Sequence, residues 1–348
     1  MASSTTTPER FTIKVGTRRS ALALKQVEMV IGELQRVHPH VDFTVHAMAT
    51  AGDRDKVTPL PEMGKGLWTS ELEAQLVNRD IDMVVHCLKD MPTSMPPGCV
   101  IGCVTEREDP RDVVVFRQPE VHHRLADLPT GAVVGTSSVR RAAQLRRRYP
   151  ELVFKDVRGN IDTRLKKCTD PEAGYDCIIL AAAGLLRMGF DDRIAQYLES
   201  STEGGGMLHA VGQGALGLEV REGDERTLAV LKSVEHMPTF MATFAERALM
   251  RMLEGGCSVP IGVETTWMEN ADDGKGKKKK LRIRATVVSI DGQTAVDGER
   301  TEGVGSLEEA EALGRKMGQE LVDRGAQKIL DVITAGRESG AAVKVGDS

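Results

Sequence analysis

Residues 133–141 of this 348-residue chain read VVGTSSVRR, and this short stretch indicates the fold class. Its two valines end an apolar run, Gly135 allows a tight turn, and Ser137 and Ser138 can cap a helix that begins near Val139. A strand that passes through a glycine turn into a helix is a building unit of α/β folds. The stretch therefore predicts an α/β domain.

The same strand-to-helix corner occurs twice more farther along the chain. An apolar stretch at residues 152–154 precedes Gly159 and a predicted helix from Asp162, and the apolar run at residues 177–180 precedes a segment that contains Arg187. In an open α/β sheet these corners lie at the carboxyl ends of the strands, where ligands bind. All three corners carry arginine, so we expect an anion-binding edge.

The amino-terminal part of the chain predicts another sheet of the same kind. The alternation from Phe11 to Val15 indicates a strand, and Gly16-Thr17 is expected to end it. The predicted elements that follow are a helix at 20–37, a strand at 41–48, a helix at 69–78 and a strand at 82–86. This β-α-β-α-β order favours a parallel sheet with helices on both faces.

Two predicted crossings of the chain connect these α/β units. Pro110 lies in a charged segment that suits a crossing into the second unit, and the glycine-rich residues 212–217 lead into a strand that we expect to return to the first. Two α/β domains hinged in this way resemble periplasmic binding-protein domains and enclose a cleft. A helix at 239–253, strands at 261–264 and 281–290, and a last helix at 307–324 predict a smaller α+β carboxyl-terminal domain. The predicted bounds are 1–10 for a disordered tail, 11–108 with 209–236 for domain 1, 109–208 for domain 2 and 237–348 for domain 3.

Charge is distributed unevenly along the chain. The formal net charge is −5, yet the 31 residues from Ser137 to Lys167 contain seven arginines and three lysines against three acidic residues. Such a cluster raises the local concentration of anions and supplies charge-assisted hydrogen bonds to carboxylate or phosphate. The run from Arg146 to Arg148 is more typical of a solvated helix face. For Arg140, Arg141, Arg158 and Arg164, spacing leaves a structural role and an anion-binding role equally open.

Composition argues against several classes of protein. Aromatic residues make up only 3% of the chain, which leaves few platforms for stacking on bases, and the acidic net charge opposes duplex binding. No apolar run approaches the roughly 20 residues that span a bilayer, and residues 1–10 lack the apolar core of a signal peptide. The six cysteines show no zinc-binding spacing, which favours reduced thiols. We expect a cytoplasmic monomer with no metal, nucleic-acid partner or membrane partner; an organellar location would need a transit peptide before residue 1.

Asp90 and Cys257 are the candidates for chemistry. Asp90 follows an apolar strand and precedes Pro92, which places its carboxylate on a loop at the carboxyl end of a buried strand. Capping or a salt bridge with Lys89 is the structural alternative. Cys257 follows two glycines that leave its sulfur unshielded, although a lone cysteine is usually an inert apolar residue. The nearby Arg247 and Arg251 could lower the pKa of its thiol and favour the nucleophilic thiolate.

Several motifs, in order along residues 11 to 335, resemble the porphobilinogen deaminase family, also called hydroxymethylbilane synthases. They are GTRRS at 16–20, KGLW at 65–68, VVHCLKDMPT at 84–93, GTSSVRR at 135–141, RGN at 158–160, AVGQGA at 210–215 and EGGCSVP at 254–260. The resemblance implies a three-domain transferase of haem and tetrapyrrole synthesis. Such an enzyme joins four porphobilinogen units head to tail with loss of ammonia and releases linear hydroxymethylbilane by hydrolysis. It also implies a dipyrromethane cofactor, built from substrate and attached to a cysteine as a thioether, which here would be Cys257.

The resemblance also implies roles for individual residues. Asp90 would be the catalytic carboxylate that stabilises the cation left when ammonia departs. The implied cofactor-binding residues are Cys257, Lys89, Ser20, Ser137, Ser138, Arg140, Arg141, Arg158, Arg164 and Arg187. The implied substrate-binding residues are Arg18, Ser20, Lys65, Trp68, Arg158 and Gln213. The chain departs from the family pattern at Cys87, where serine is usual, and in the loop at 61–65, which is one residue shorter.

An anion-binding protein without enzymatic activity and a polyanion or nucleic-acid binder are the alternative functions. Cys257 after two glycines, together with the lack of a signal peptide, speaks against the first of these. Salt-dependent retention on a DNA column would identify the second. Ehrlich's reagent, which colours bound pyrroles, would separate the transferase from both.

Overall fold

The three-dimensional structure is a computed structural model that describes residues 9–54, 68–121, 123–201, 206–253, 259–268 and 279–338. Its strands are β1 Phe11–Arg18, β2 Val41–Met48, β3 Met83–Cys87, β4 Cys99–Val104, β5 Asp112–Phe116, β6 Val133–Gly135, β7 Val153–Lys155, β8 Cys177–Ala181, β9 Gln196–Leu198, β10 Leu216–Arg221, β11 Ile261–Met268, β12 Lys280–Val288 and β13 Ala295–Gly303. Its helices are α1 Ala21–Val37, α2 Ala51–Arg54, α3 Ser70–Val77, α4 Val139–Arg148, α5 Ile161–Thr169, α6 Ala182–Met188, α7 Glu225–Leu231, α8 Met237–Met252, α9 Leu307–Asp323 and α10 Ala326–Glu338.

Three sheets organise the described residues. The first lobe contains the sheet β2-β1-β3-β10-β4, the second lobe contains β7-β6-β8-β5-β9, and the carboxyl-terminal domain contains β11-β12-β13 with α8 to α10. The mixed α/β class with a smaller last domain is therefore confirmed. No helix among the described residues has the length and apolar character needed to cross a membrane.

The first lobe combines parallel strands with one strand that returns from later in the chain. β1 pairs in parallel with β2 and β3, as the β-α-β-α-β pattern predicts. β10 lies antiparallel between β3 and β4, which confirms that the chain returns to this sheet after the second lobe and makes the sheet mixed. Helix α1 is capped by Ser20 and buries the face that contains Val27, Val30 and Leu34.

The prediction that Gly16-Thr17 ends the first strand is wrong. β1 continues to Arg18, which pairs with Met48 of β2. A Cβ atom on Gly16 would lie 2.4 Å from Cδ1 of Ile81, so the glycine permits close packing within a continuous strand. The extension carries Arg18 to the carboxyl edge of the sheet.

The second lobe contains the three predicted strand-to-helix corners. β6 leads into α4, β7 into α5, and β8 into α6, while β6, β7 and β8 run parallel to one another. Ser138 caps α4, because its Oγ accepts a hydrogen bond from the backbone N–H of Arg141 at 3.4 Å. The solvated-face interpretation is wrong for Arg146, which is partly buried and donates to the carbonyl of Ile290. Arg147 is exposed, as that interpretation expects, and forms a surface ion pair with Asp297 of the carboxyl-terminal domain.

The carboxyl-terminal domain is an antiparallel three-stranded sheet packed against helices. The helix predicted at 307–324 is present as α9, but it is not the last helix. After Gly325, whose φ of 101° redirects the backbone, α10 adds Ile329, Leu330 and Ile333 to the same buried core. A glycine after a helix can end the chain's helical structure, or it can form a short turn into a following helix. Gly325 alone therefore does not indicate whether another helix follows α9.

A buried ion pair joins this domain to the lobes. Arg107, at the crossing out of the first lobe, donates to Glu246 of α8 at 2.7 and 3.1 Å. Glu246 is fully buried and also accepts from the backbone N–H of Gly212 and the hydroxyl of Thr265. One carboxylate therefore satisfies donors from both chain crossings and from β11.

Candidate active site

The carboxyl ends of β1 and β3 bring Arg18 and Asp90 together. Arg18 is the last residue of β1, and Asp90 ends a single 3-10 turn that follows β3. Nη1 of Arg18 lies 3.9 Å from Oδ2 of Asp90, and its guanidinium lies 4.0 Å from the centroid of the Trp68 ring. The side chain of Asp90 is 30% exposed, so its carboxylate is accessible to a ligand.

Arg140 and Arg141 converge on one buried carboxylate. Arg140 donates to Oδ2 of Asp112 at 2.6 Å, and Arg141 donates to Oδ1 at 2.9 Å. The same guanidiniums reach the carbonyls of Leu208 and Ile179. Although burial opposes the shift, Arg140 and Arg141 hold the pKa of Asp112 well below its usual range. Both arginines are therefore fixed at the start of α4.

Gln213 connects this pair to the loop that carries Asp90. Its Nε2 donates to Oδ1 of Asp112 at 3.0 Å, and its Oε1 accepts from Nζ of Lys89 at 3.3 Å. Burial lowers the pKa of Lys89, and the adjacent Asp90 opposes that shift. Side chains from both lobes thus form one continuous polar network.

Arg164 and Arg187 supply further positive charge at the same edge. Burial, followed by Arg141 and Arg158, lowers the pKa of Arg164 to about 10, whereas Asp90 raises it. The guanidinium remains charged at neutral pH, and its Nε donates to the carbonyl of Gly159. Burial also lowers the pKa of Arg187, and Nη2 of Arg187 donates to a backbone carbonyl in the glycine-rich segment after the second crossing.

The predicted serines have structural bonds at these corners. Oγ of Ser20 accepts from the backbone N–H of Ala23 at the start of α1, as Ser138 does at the start of α4. Oγ of Ser137 donates to the carbonyl of Val157 at 2.9 Å. The serines hold two helix starts at the cleft, where backbone N–H groups favour anions.

Cys87 faces α1 from the end of β3. Nε2 of Gln26, a buried residue of α1, lies 3.0 Å from the sulfur. Burial, followed by the nearby Asp90, raises the pKa of the Cys87 thiol, so the sulfur stays protonated at neutral pH. The departure from serine therefore places a neutral, weakly hydrogen-bonding group beside Asp90.

The described part of the cleft suits a ligand with several carboxylates. Nε of Arg187 is buried with no hydrogen-bond partner among the described residues, and Arg164 donates to a carbonyl where a carboxylate would bind more strongly. This donor set fits a dipyrromethane, whose pyrrole rings carry acidic arms. Cys257 and Lys65, which the sequence also predicts at this site, lie outside the described residues.

Comparison with known proteins identifies the family. A family model described as "Porphobilinogen deaminase, dipyromethane cofactor binding domain" matches residues 13–229, and one described as "Porphobilinogen deaminase, C-terminal domain" matches residues 240–323. The chain belongs to the porphobilinogen deaminase family. The resemblance carried by the sequence motifs is thereby confirmed.

Curated porphobilinogen deaminases match along nearly the whole chain. The one from Neurospora crassa is 62% identical and covers 97% of this chain and 99% of its own length. The one from Yarrowia lipolytica is 49% identical, with 92% of each chain covered. Among solved structures, the OxyR2 regulatory domain from Vibrio vulnificus matches 64% of this chain with a TM-score of 0.39 and 15% identity, covering 95% of its own chain.

Membership of the porphobilinogen deaminase family defines the reaction and the cofactor. The chain is a transferase of tetrapyrrole biosynthesis that condenses four porphobilinogen molecules, with loss of ammonia, into linear hydroxymethylbilane. Its cofactor is a dipyrromethane.

Sequence reasoning missed the residues that hold this site together. Asp112 fixes two of the arginines, and Glu246 joins the crossings to α8. Both are acidic residues in segments with no motif of their own, and their partners lie 19 to 139 residues away. The only signal was chemical: a cluster of buried arginines requires a buried carboxylate.

Proposed function

We propose that Asp90 is the catalytic carboxylate of porphobilinogen condensation. The observation that carries this role is the position of Asp90, which is partly exposed beside Arg18 and near enough to Arg164 to oppose the lowering of that guanidinium's pKa. When the C–N bond of porphobilinogen breaks and ammonia leaves, the remaining pyrrole is a cation whose charge extends to its ring nitrogen. A carboxylate against that N–H stabilises the cation, and it can accept the proton that is lost after the new C–C bond forms.

We propose that the surrounding cations hold the acidic arms of cofactor, substrate and growing chain. The proposed residues on the cofactor side are Lys89, Ser137, Ser138, Arg140, Arg141, Arg158, Arg164 and Arg187, with Ser20 shared. The proposed residues on the substrate side are Arg18, Lys65, Trp68 and Gln213, with Arg158 shared. Arg140 and Arg141 already bind Asp112, so only their remaining donors are available to a ligand carboxylate.

We propose that Cys257 carries the dipyrromethane as a thioether. It lies in the segment that directly follows α8, and its neighbours match the EGGCSVP motif of the family resemblance. When bound, the dipyrromethane supplies the free pyrrole end from which the chain is extended.

We also propose the domain bounds 11–108 with 209–236, 109–208, and 237 onward. Their support is that each of the three sheets lies within one of these domains.

We further propose that the working enzyme is a cytoplasmic monomer without nucleic-acid partners. The acidic net charge supports the absence of a nucleic-acid partner, and the five free cysteines among the described residues support the cytoplasmic location. Analytical ultracentrifugation tests the monomer, and a stable dimer at working concentration would reject it.

The role of Asp90 is tested by Asp90→Asn, which keeps the shape of the side chain and removes its charge. We expect turnover to fall at least about 100-fold because the cation loses its counter-charge, while the thermal midpoint stays close to that of the parent. Release of ammonia from porphobilinogen is the measurement. Asp80→Asn, at an exposed position near the same strand, is the matched control. Normal ammonia release by Asp90→Asn would remove Asp90 from this role.

A further inference from the structure

Helix α8 of the carboxyl-terminal domain packs directly beneath the loop that carries Asp90. Leu88, the first residue of the 3-10 turn, and Met91, which directly follows the turn, belong to one apolar cluster with Phe240 of α8. Phe244, one turn farther along α8, packs against the same cluster, and its ring meets that of Phe240 edge to face at 4.7 Å. The base of the catalytic loop is therefore formed by a different domain.

Two arginines on the next turns of α8 bind the continuation of the same loop. Nη2 of Arg247 donates to the carbonyl of Pro92 at 2.5 Å, and Nη1 of Arg251 donates to the carbonyl of Thr93 at 2.9 Å. Arg247 is only 2% exposed, and Arg251 is also held by Glu311 of α9 at 2.6 Å. Residues four apart lie on one face of a helix, so both arginines donate hydrogen bonds to the adjacent carbonyls of Pro92 and Thr93 from the same side.

The position of α8 in the chain gives these contacts a functional meaning. The helix ends at Met252, five residues before Cys257. The same helix thus contacts the loop with the proposed catalytic carboxylate and leads into the segment with the proposed attachment cysteine. A shift of α8 relative to this loop would therefore move the end of the helix from which that segment continues.

We propose that Arg247 and Arg251 are positioning residues that fix the Asp90 loop against α8, the helix from which the cofactor-bearing segment continues. This inference rests on the proposed roles of Asp90 and Cys257. Pro92 cannot donate a backbone hydrogen bond, and among the described residues the loop from Met91 to Thr93 has no regular secondary structure. Charge-assisted bonds to its carbonyls therefore set its position. A displacement of about 1 Å at a reacting group can cost about 100-fold in rate.

The test compares Arg247→Lys and Arg251→Lys with Arg247→Gln and Arg251→Gln. We expect the glutamine variants to retain full covalent loading by intact-protein mass, to lower kcat by about 10- to 100-fold and to change KM by less than about threefold. The lysine variants should recover part of kcat, because the charge is kept but the planar fork is lost. Arg300→Gln, which breaks pairs with Glu302 and Glu320 in the same domain, should keep kcat.

A double-mutant cycle with Asp90→Glu separates positioning from general destabilisation. The longer side chain of Asp90→Glu already misplaces the carboxylate. The double variant Asp90→Glu with Arg247→Lys should therefore lose less kcat than the product of the losses in the two single variants. Fully multiplicative effects on kcat would overturn the inference, as would a loss of kcat in proportion to a loss of covalent loading. Neither result bears on Asp90→Asn, so failure here leaves the proposed function separately testable.

Discussion

At the scale of single residues, Asp112 organises the arginines of the cleft. Two adjacent guanidiniums repel each other, and burial of either without a counter-charge is unfavourable. The sequence predicted that Arg140 and Arg141 lie at a helix start, because Gly135 and Ser138 are local signals. It could not predict Asp112 as their partner, since that contact spans 28 residues and forms only when β5 lies beside β8.

Asp112→Asn should strongly destabilise the fold. Removal of one partner from a buried ion pair typically costs about 3–5 kcal/mol, and the variant should also lose turnover. The pKa of Asp112 is depressed in the folded chain, so its contribution is present above the unfolded pKa of about 3.9 and is lost as pH falls toward the folded value. Urea unfolding at pH 7 measures the difference, with exposed Asp42→Asn as control. Equal stability of Asp112→Asn and the parent would contradict this account.

At the scale of secondary-structure elements, local patterns predicted most of what the structure contains. The three corners, the cap at Ser138 and the returning strand β10 follow from periodicity and turn residues. The exceptions are places where tertiary packing decides. The sequence predicts a turn at Gly16, whereas in the structure Gly16 lies inside β1 and packs closely against Ile81. The sequence does not predict α10. Its apolar residues indicate a buried helix only when they are seen to pack into the core of the carboxyl-terminal domain.

Two glycines in helices should respond in opposite directions to alanine. A Cβ atom on Gly314 of α9 would lie 2.0 Å from the carbonyl oxygen of Ala245, so Gly314→Ala forces α8 and α9 apart. Such overpacking typically costs about 1–3 kcal/mol. Gly32 of α1 is exposed, and a Cβ atom there would meet no other atom within 4 Å. Because alanine favours the helical conformation more than glycine, Gly32→Ala should raise the free energy of unfolding by up to about 1 kcal/mol. Thermal unfolding compares them, and a stabilised Gly314→Ala would refute the close packing.

At the scale of the whole molecule, two chain crossings and α8 meet in one buried junction. His209 lies there between the lobes and the carboxyl-terminal domain, and its backbone bridges to Val263 of β11. Burial, followed by Arg107, lowers the pKa of His209 to about 4. The motifs predicted the site but not this junction, because its contacts join residues that are far apart in the sequence, such as Arg107 with Glu246.

His209 should make stability depend on pH. Its unfolded pKa is about 6.5, so below that value the unfolded chain binds a proton that the folded chain does not, and stability is lost as pH falls toward about 4. When the pH is lowered from 7 to 5, the free energy of unfolding of the parent should fall by about 2 kcal/mol more than that of His209→Gln. Urea unfolding at both pH values measures this, and exposed His46→Gln should follow the parent. Parallel pH dependence in the parent and His209→Gln would reject the neutral buried histidine.

The central claim is that a cationic cleft between two lobes holds an acidic oligopyrrole tethered through sulfur, with Asp90 against the reacting ring. Intact-protein and peptide mass spectrometry of the purified, active chain tests it most directly. We predict one covalent increment of two pyrrole units on the peptide that contains Cys257, and its absence, together with loss of activity, in Cys257→Ser. An active parent chain with the unmodified mass, or an increment on another residue, would contradict the account.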